Sequence, residues 1–208
     1  VPEETTPLVP LLSVLQDLIA WLTVQQIPGI VIGGVAASIL GRPRATRDVD
    51  AVILLDQNGW KEFLEAGERF GFKPRYPDSL HFAKQARVLL VRHETSGIDA
   101  DISLGLLPFE QEAIARAQSI DVSGIRIPLP TPEDLIIMKA VANRARDVAD
   151  IEGLLDAHPK LNLRRIRRWL REFSSALDEP AILENFEDIL VRAKGKKKKP
   201  KMDRKKSR

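Results

Sequence analysis

The chain has 208 residues, 44% of them hydrophobic and 29% charged, which suits one domain with an appendage or two small domains around a real core. It has no cysteine, so disulfides, thiolate catalysis and cysteine-ligated zinc are excluded, and no apolar run reaches the roughly 18 residues of a membrane span. The net charge of +3 is uneven: residues 194–208, KGKKKKPKMDRKKSR, hold ten Lys/Arg against one Asp, a net of +9, which leaves −6 for the rest.

The opening VPEETTPLVP lacks a basic segment before an apolar core, so it does not read as a secretory signal, and cytoplasm is the expected compartment. Residues 8–26 carry apolar residues at helical spacing (Leu11, Leu12, Leu15, Leu18, Ile19, Leu22), and Pro28-Gly29 breaks the pattern. IVIGG then reads as a short buried strand, VAASIL as a short helix, GRPRAT as a loop and DVDAVILL as a second strand. A helix is expected over 58–70, stopped by Gly71. Strands follow at 86–93 and 97–105, joined by a hairpin turn at ETSG. Residues 108–120 look helical, and VSGIRIPLP extended with a turn at Ser123-Gly124. From 131 to 158 the pattern is one helix, started by Thr131 as cap, Pro132 in the first turn and Asp134 reaching back. Helices at 162–174 and 180–193 follow, and no internal repeat is visible. The 194–208 run repels itself and is expected to be disordered, either as a solubilising terminus or as an electrostatic contact for nucleic acid.

Strand residues one position apart point to the same face, so Asp48 and Asp50 project together, as do Asp99 and Asp101. Neighbouring carboxylates repel unless a positive charge lies between them, and a hard divalent cation with oxygen ligands meets that need. Two such ions can activate an attacking oxygen and stabilise leaving pyrophosphate. The other reading is strand-end aspartates standing in water, because spacing fixes direction and not depth. Gly33-Gly34, between a strand and a helix, can offer backbone N–H groups to a phosphate or simply make a tight turn. It is neither a Walker loop nor a dinucleotide fingerprint.

Taken in order, Gly-Gly, a short helix, Leu-Gly-Arg, Thr-Arg-Asp-Val-Asp on a strand and Asp-Ala-Asp on a later strand resemble the polymerase-β-like nucleotidyltransferase superfamily. The likeness is nearest to small bacterial nucleotidyltransferases of the abortive-infection toxin type and their uncharacterised relatives, and KAVANRARDVADIEGLL resembles that group's helical signature. It covers about residues 28–157. The resemblance implies an α/β (α+β) fold: an N-terminal helix (1–27), a small mixed-sheet nucleotidyltransferase core flanked by helices (28–130), a C-terminal helical region (131–193) and the basic tail (194–208). It implies a cytoplasmic enzyme that moves an NMP from an NTP onto a hydroxyl of RNA, protein or a small molecule, with two Mg²⁺ ions (or Mn²⁺) as cofactor and an antitoxin or other protein as a partner. A non-catalytic nucleotide- or RNA-binding module is the alternative. Gly33 and Gly34 would line the triphosphate, and Asp48, Asp50 and Asp101 would be catalytic and hold metal, with Asp99 in place of Asp101 as the second choice. Arg47, Lys139 and Arg144 would serve nucleotide binding, with Asp147 and Asp150 close by. Lys139, Asn143, Arg146 and Asp150 would form one helical stripe, which can equally be a salt-bridged solvated face.

Two features depart from the pattern. Many members have Gly-Ser, whose hydroxyl contacts a phosphate, where this chain has Gly34. The frame also resembles tRNA CCA-adding enzymes and poly(A) polymerases, but those carry Arg-Asp soon after Gly-Gly, where this chain has VAAS. Arg42, Arg44 and Arg47 contact phosphates or offset the aspartates. His81, His93 and His158 lack metal-ligand spacing, and Ser103 lacks the context of a hydrolase triad. The basic helix RRIRRWLREF reads as an amphipathic packing helix or an RNA contact.

Overall fold

In the computed structural model, residues 11–198 are described. Helix α1 (Leu12–Val24) leads to β1 (Gly29–Ile32), α2 (Gly33–Leu40) and β2 (Asp48–Ile53). Then come α3 (Trp60–Gly67), β3 (Phe72–Pro74) and α4 (Ser79–Ala86), the hairpin β4 (Val88–His93) and β5 (Ile98–Leu104), α5 (Pro108–Ala115), and a second hairpin, β6 (Gln118–Val122) and β7 (Ile125–Leu129). The remainder is helical: α6 (Pro132–Ala142), α7 (Ala145–Ala157), α8 (Leu163–Leu177) and α9 (Ala181–Lys198). This is the expected mixed α/β arrangement followed by a helical region. The start of the first expected helix and most of the basic tail lie outside the described residues, while α9 continues past 194 into the stretch expected to lack structure.

The main sheet has the strand order β1-β2-β5-β4-β3. Only β2 and β5 run parallel; the other neighbours are antiparallel. Alternation along β2 and β5 gives the sheet one apolar face, with Val49, Ala51, Ile53, Ala100, Ile102 and Leu104 buried. From β4 and β3, Leu89, Val91 and Phe72 join that face. Trp21 of α1 is buried there, stacked on Phe63 of α3 at 4.1 Å and on Phe72 at 5.3 Å between ring centroids. A side chain at Gly67 would run into the Trp21 ring at 2.6 Å, so the close α1–α3 approach depends on that glycine. The opposite face carries the carboxylates.

Four local expectations are corrected. Residues 118–120 are strand rather than helix: α5 stops after Ala115, and Gln118–Val122 pairs with β7 through the Ser123-Gly124 turn, both residues at positive φ. The stretch 72–86 holds a short edge strand and a helix where neither was anticipated, and β4 accordingly starts at Val88, after Arg87 ends α4 in a left-handed conformation. The Gly-Gly pair opens α2 instead of closing β1. The long helix over 131–158 is two helices: Asn143 is left-handed at φ 48°, Arg144 is extended, and Asp147 accepts from the Arg144 backbone N–H at 3.1 Å to start α7. Lys139, Asn143, Arg146 and Asp150 are therefore not one stripe of one helix. The Thr131 cap is as expected, with its hydroxyl accepting from the Asp134 N–H at 3.2 Å and donating to the Asp134 carboxylate at 2.9 Å.

The basic helix is α8. Its Ile166, Trp169 and Leu170 are buried, and Trp169 packs against Phe109 and Phe173. Arg165 bonds Asp134 and Glu112, and Arg167 bonds Glu187 in a bidentate pair. The packing reading holds, and these two arginines serve internal contacts.

Candidate active site

The parallel register of β2 and β5 sets Asp48 beside Asp99 and Asp50 beside Asp101, so all four carboxylates share one sheet face. The turn from β1 into α2 rises over that face. Gly33 has φ +63°, and a Cβ placed on it would fall 1.8 Å from Asp50 Oδ2. Only glycine fits there, both for its backbone angle and for the carboxylate lying against it. A Cβ on Gly34 would fall 2.4 Å from Thr46 Oγ1, and that hydroxyl donates to Asp48 Oδ1 at 2.9 Å. The departure from Gly-Ser thus has a local cause: the space of a side chain at 34 is taken by Thr46. Sequence reasoning missed Thr46, whose only signal is its place two residues before Asp48.

The electrostatics separate the carboxylates. Burial raises the pKa of Asp50 above the ordinary carboxylate range, the charges of Asp48 and Asp101 add to this, and Lys139 and Arg144 oppose it. Burial likewise raises Asp101, against the pull of Arg75 and with the push of Asp48 and Asp99. Asp99 goes the other way, lowered chiefly by its bond to Arg92. Arg92 grips Asp99 at 2.6 and 3.1 Å, and Arg75 adds a third bond at 3.1 Å. Asp99 is saturated by arginines. Asp101 takes a single bond, from Arg75 at 2.5 Å.

Lys139 is buried between Asp147 and Asp150, with its Nζ 2.9 Å from each. Arg44 clasps Asp150 from the α2–β2 loop at 2.7 and 2.9 Å. The signature residues Lys139, Asp147 and Asp150 therefore form a buried knot that ties α6 and α7 to the loop ahead of the carboxylate strand. Arg144 is exposed at the start of α7, bonded to Asp147, and its pKa is raised first by that bond and further by Asp50 and Asp48. Arg47 is exposed and makes no ion pair among the described residues. The structure thus gathers Gly33, Gly34, Asp48, Asp50 and Asp101, sets Arg144 within electrostatic reach, and keeps Lys139 internal.

The donor set at Asp48, Asp50 and Asp101 is all oxygen, and its members repel one another, which is the chemistry a hard divalent cation relieves. Among the described residues no three His, Cys, Asp or Glu side chains stand close enough, as placed, to hold a metal ion. Arg75 engages Oδ1 of Asp101, one of its two oxygens. No helix among the described residues is long and apolar enough to cross a membrane.

The sequence matches, over residues 10–169, the family described as "Nucleotidyltransferase of unknown function (DUF6036)". The chain belongs to that nucleotidyltransferase family. It is thereby a transferase of the polymerase-β-like superfamily, an enzyme class that takes an NTP and an acceptor. Solved structures share the fold. An antigenic nucleotidyltransferase-like protein from Paracoccidioides brasiliensis is similar at TM-score 0.53 and 16% identity, covering 83% of this chain and 91% of that one. The antibiotic-resistance factor ANT(2″)-Ia is similar at TM-score 0.52 and 16% identity, covering 83% and 94%. No match is found among curated proteins.

Proposed function

We propose that the protein transfers an NMP from an NTP to an acceptor hydroxyl in a reaction that depends on divalent metal. The observation that carries this reading is the β2–β5 register, which sets Asp50 beside Asp101, together with the Gly33 turn lying directly on Asp50. Asp48, Asp50 and Asp101 would hold two Mg²⁺ ions, with Mn²⁺ as a substitute. When bound, these ions neutralise charge on the attacking and leaving oxygens.

The other steps belong to the chain. Gly33 and Gly34 leave the start of α2 free of side chains, so its backbone N–H groups can approach the triphosphate. Arg144 and Arg47 are the exposed cations for that triphosphate. Lys139 acts from below, countering the Asp50 charge and fixing α7 so that Arg144 faces the site. Asp101 stands at the β4 side of the carboxylate row, where one of its oxygens could receive the hydroxyl proton. Most of the rate would come from positioning and charge stabilisation.

The acceptor in this reading is an RNA 3′ end, a protein side chain or a small molecule. An antitoxin partner belongs to the same resemblance. Titrating Mg²⁺-NTP into wild type and Asp48→Asn tests the site: saturable binding by wild type, lost by at least tenfold in a variant with an unchanged melting curve, is expected. Equal binding by the two would refute the assignment. Binding without any transfer would mark a non-catalytic module instead.

A further inference from the structure

Beyond Asp101 the carboxylate face continues across β4 to the β3 edge, and its charge changes sign. Lys73 and Arg75 follow the same alternation as Arg92 on the neighbouring strand, so the three cations stand on the face that carries Asp99 and Asp101. With Pro74, Tyr76, Glu94 and Asp99 they line a cleft of about 470 Å³, within the size range of ligand sites. Tyr76, which is 56% exposed, belongs to that lining. The cleft lies on the β3 side of Asp101, whereas the Gly33-Gly34 turn lies on the β1 side. In-line transfer requires the acceptor to enter opposite the leaving pyrophosphate, and the cleft is on that opposite side.

We infer that this cleft is the acceptor subsite and that it takes a hydroxyl compound carrying a phosphate, with Arg75 linking it to the metal carboxylates. The inference rests on the nucleotidyl-transfer reading above. In the structure the cleft cations are neutralised internally: Lys73 by Glu94 at 2.9 Å, Arg92 by Asp99, and Arg75 by Asp99 and Asp101. Asp99 is shared between two arginines. Arg75 spends one terminal nitrogen on each of Asp99 and Asp101, and its Nε makes no hydrogen bond. The guanidinium thus has N–H donors to spare beside Arg92 and Lys73, and an anion is the ligand that satisfies them. A polycationic acceptor would meet three cations against the two carboxylates, Glu94 and Asp99, that line the cleft with them. Tyr76 offers a surface for a base, so a nucleoside phosphate and a sugar phosphate are the two sources of the shared chemistry.

The test uses the full chain with Mg²⁺ and a non-hydrolysable ATP analogue, titrated calorimetrically with AMP and, separately, with glucose 6-phosphate. Analogue binding is recorded first, so failure of the donor reading is seen on its own, and the phosphate titrations are made on the Mg²⁺-loaded chain in either case. We expect saturable phosphate-ester binding at least fivefold tighter with Mg²⁺ than without, weakened at least tenfold by Arg92→Gln and by Arg75→Gln, and unchanged by Lys61→Gln on α3. A preference for AMP that Tyr76→Ala abolishes shows that a base is read with the phosphate, and equal affinities show that the phosphate alone is read; either supports the inference. Absence of binding by both esters, binding indifferent to Arg92→Gln, or tighter binding of kanamycin than of AMP would overturn it.

Discussion

Replacing Gly33 by alanine tests the contact on which the donor side of the site depends. At φ +63° an L-residue carries a left-handed penalty of about 1–2 kcal/mol. The new Cβ would also fall 1.8 Å from Asp50 Oδ2 and 2.6 Å from its Cγ, so the carboxylate must leave its position. Overpacking of this kind costs about 1–3 kcal/mol. The combined loss of roughly 2–5 kcal/mol corresponds to a drop in melting temperature of roughly 4–20 °C for a chain of this size. Thermal denaturation of Gly33→Ala in the wild-type and Asp50→Ala backgrounds separates the two parts. With Asp50 truncated the clash with its carboxylate disappears, while the backbone penalty and the 2.8 Å approach to the residue 50 Cβ remain, so the cost should fall by part of that overpacking, at most about 1–3 kcal/mol, an interaction of the size expected for residues in contact. Nucleotide binding should be lost in Gly33→Ala because Asp50 is displaced. Equal destabilisation in both backgrounds would refute the packing of Asp50 on Gly33.

Other outcomes follow from the buried knot and the core. Lys139→Met leaves Asp147 and Asp150 without their shared cation and should cost about 3–5 kcal/mol by urea denaturation. Burial resists ionisation of Asp150, yet hydrogen bonds from Arg44 and Lys139 outweigh it and hold its pKa below the ordinary carboxylate range. Its contribution is therefore complete above that range and disappears as pH falls through the lowered value. An acid titration of stability should show this loss in wild type and a smaller one in Asp150→Asn. Trp21→Ala removes the ring stacked on Phe63 and Phe72 and should lower stability by about 3–5 kcal/mol in the same denaturation assay.

Much of the site was legible because it rests on strand alternation. Asp48 and Asp50, then Asp99 and Asp101, are separated by one residue, and period two alone puts each pair on one face. Spacing could not choose between Asp99 and Asp101, because the difference comes from Arg92 on β4 and Arg75 just past β3, which both reach Asp99. Arg75 was invisible for the same reason: it stands 26 positions from Asp101 in the chain, in a Pro-flanked stretch whose three-residue edge strand has no pattern of its own. The polar strand β6 shows only two half-buried residues, Ile120 and Val122, so it reads as the tail of a helix until β7 pairs with it. The break at Asn143 was hidden because good helix formers flank it. Its position is set by the Arg144–Asp147 cap and by the two-sided grip on Lys139, which requires α6 and α7 to face each other. The apolar spacing of α1 and α8 read correctly, as expected for helices whose one face packs on the core.

Transfer of the α-phosphate from an NTP is the activity that Asp48, Asp50 and Asp101 are proposed to support. Wild type and Asp48→Asn are incubated with Mg²⁺ and each NTP labelled at the α-phosphate, together with cellular RNA and soluble lysate, and the acceptors are resolved by electrophoresis and chromatography. Wild type is expected to move the α-label onto an acceptor with stoichiometric release of unlabelled pyrophosphate, and Asp48→Asn to move none. Label remaining in NTP with wild type, or equal transfer by the folded variant, would contradict that assignment.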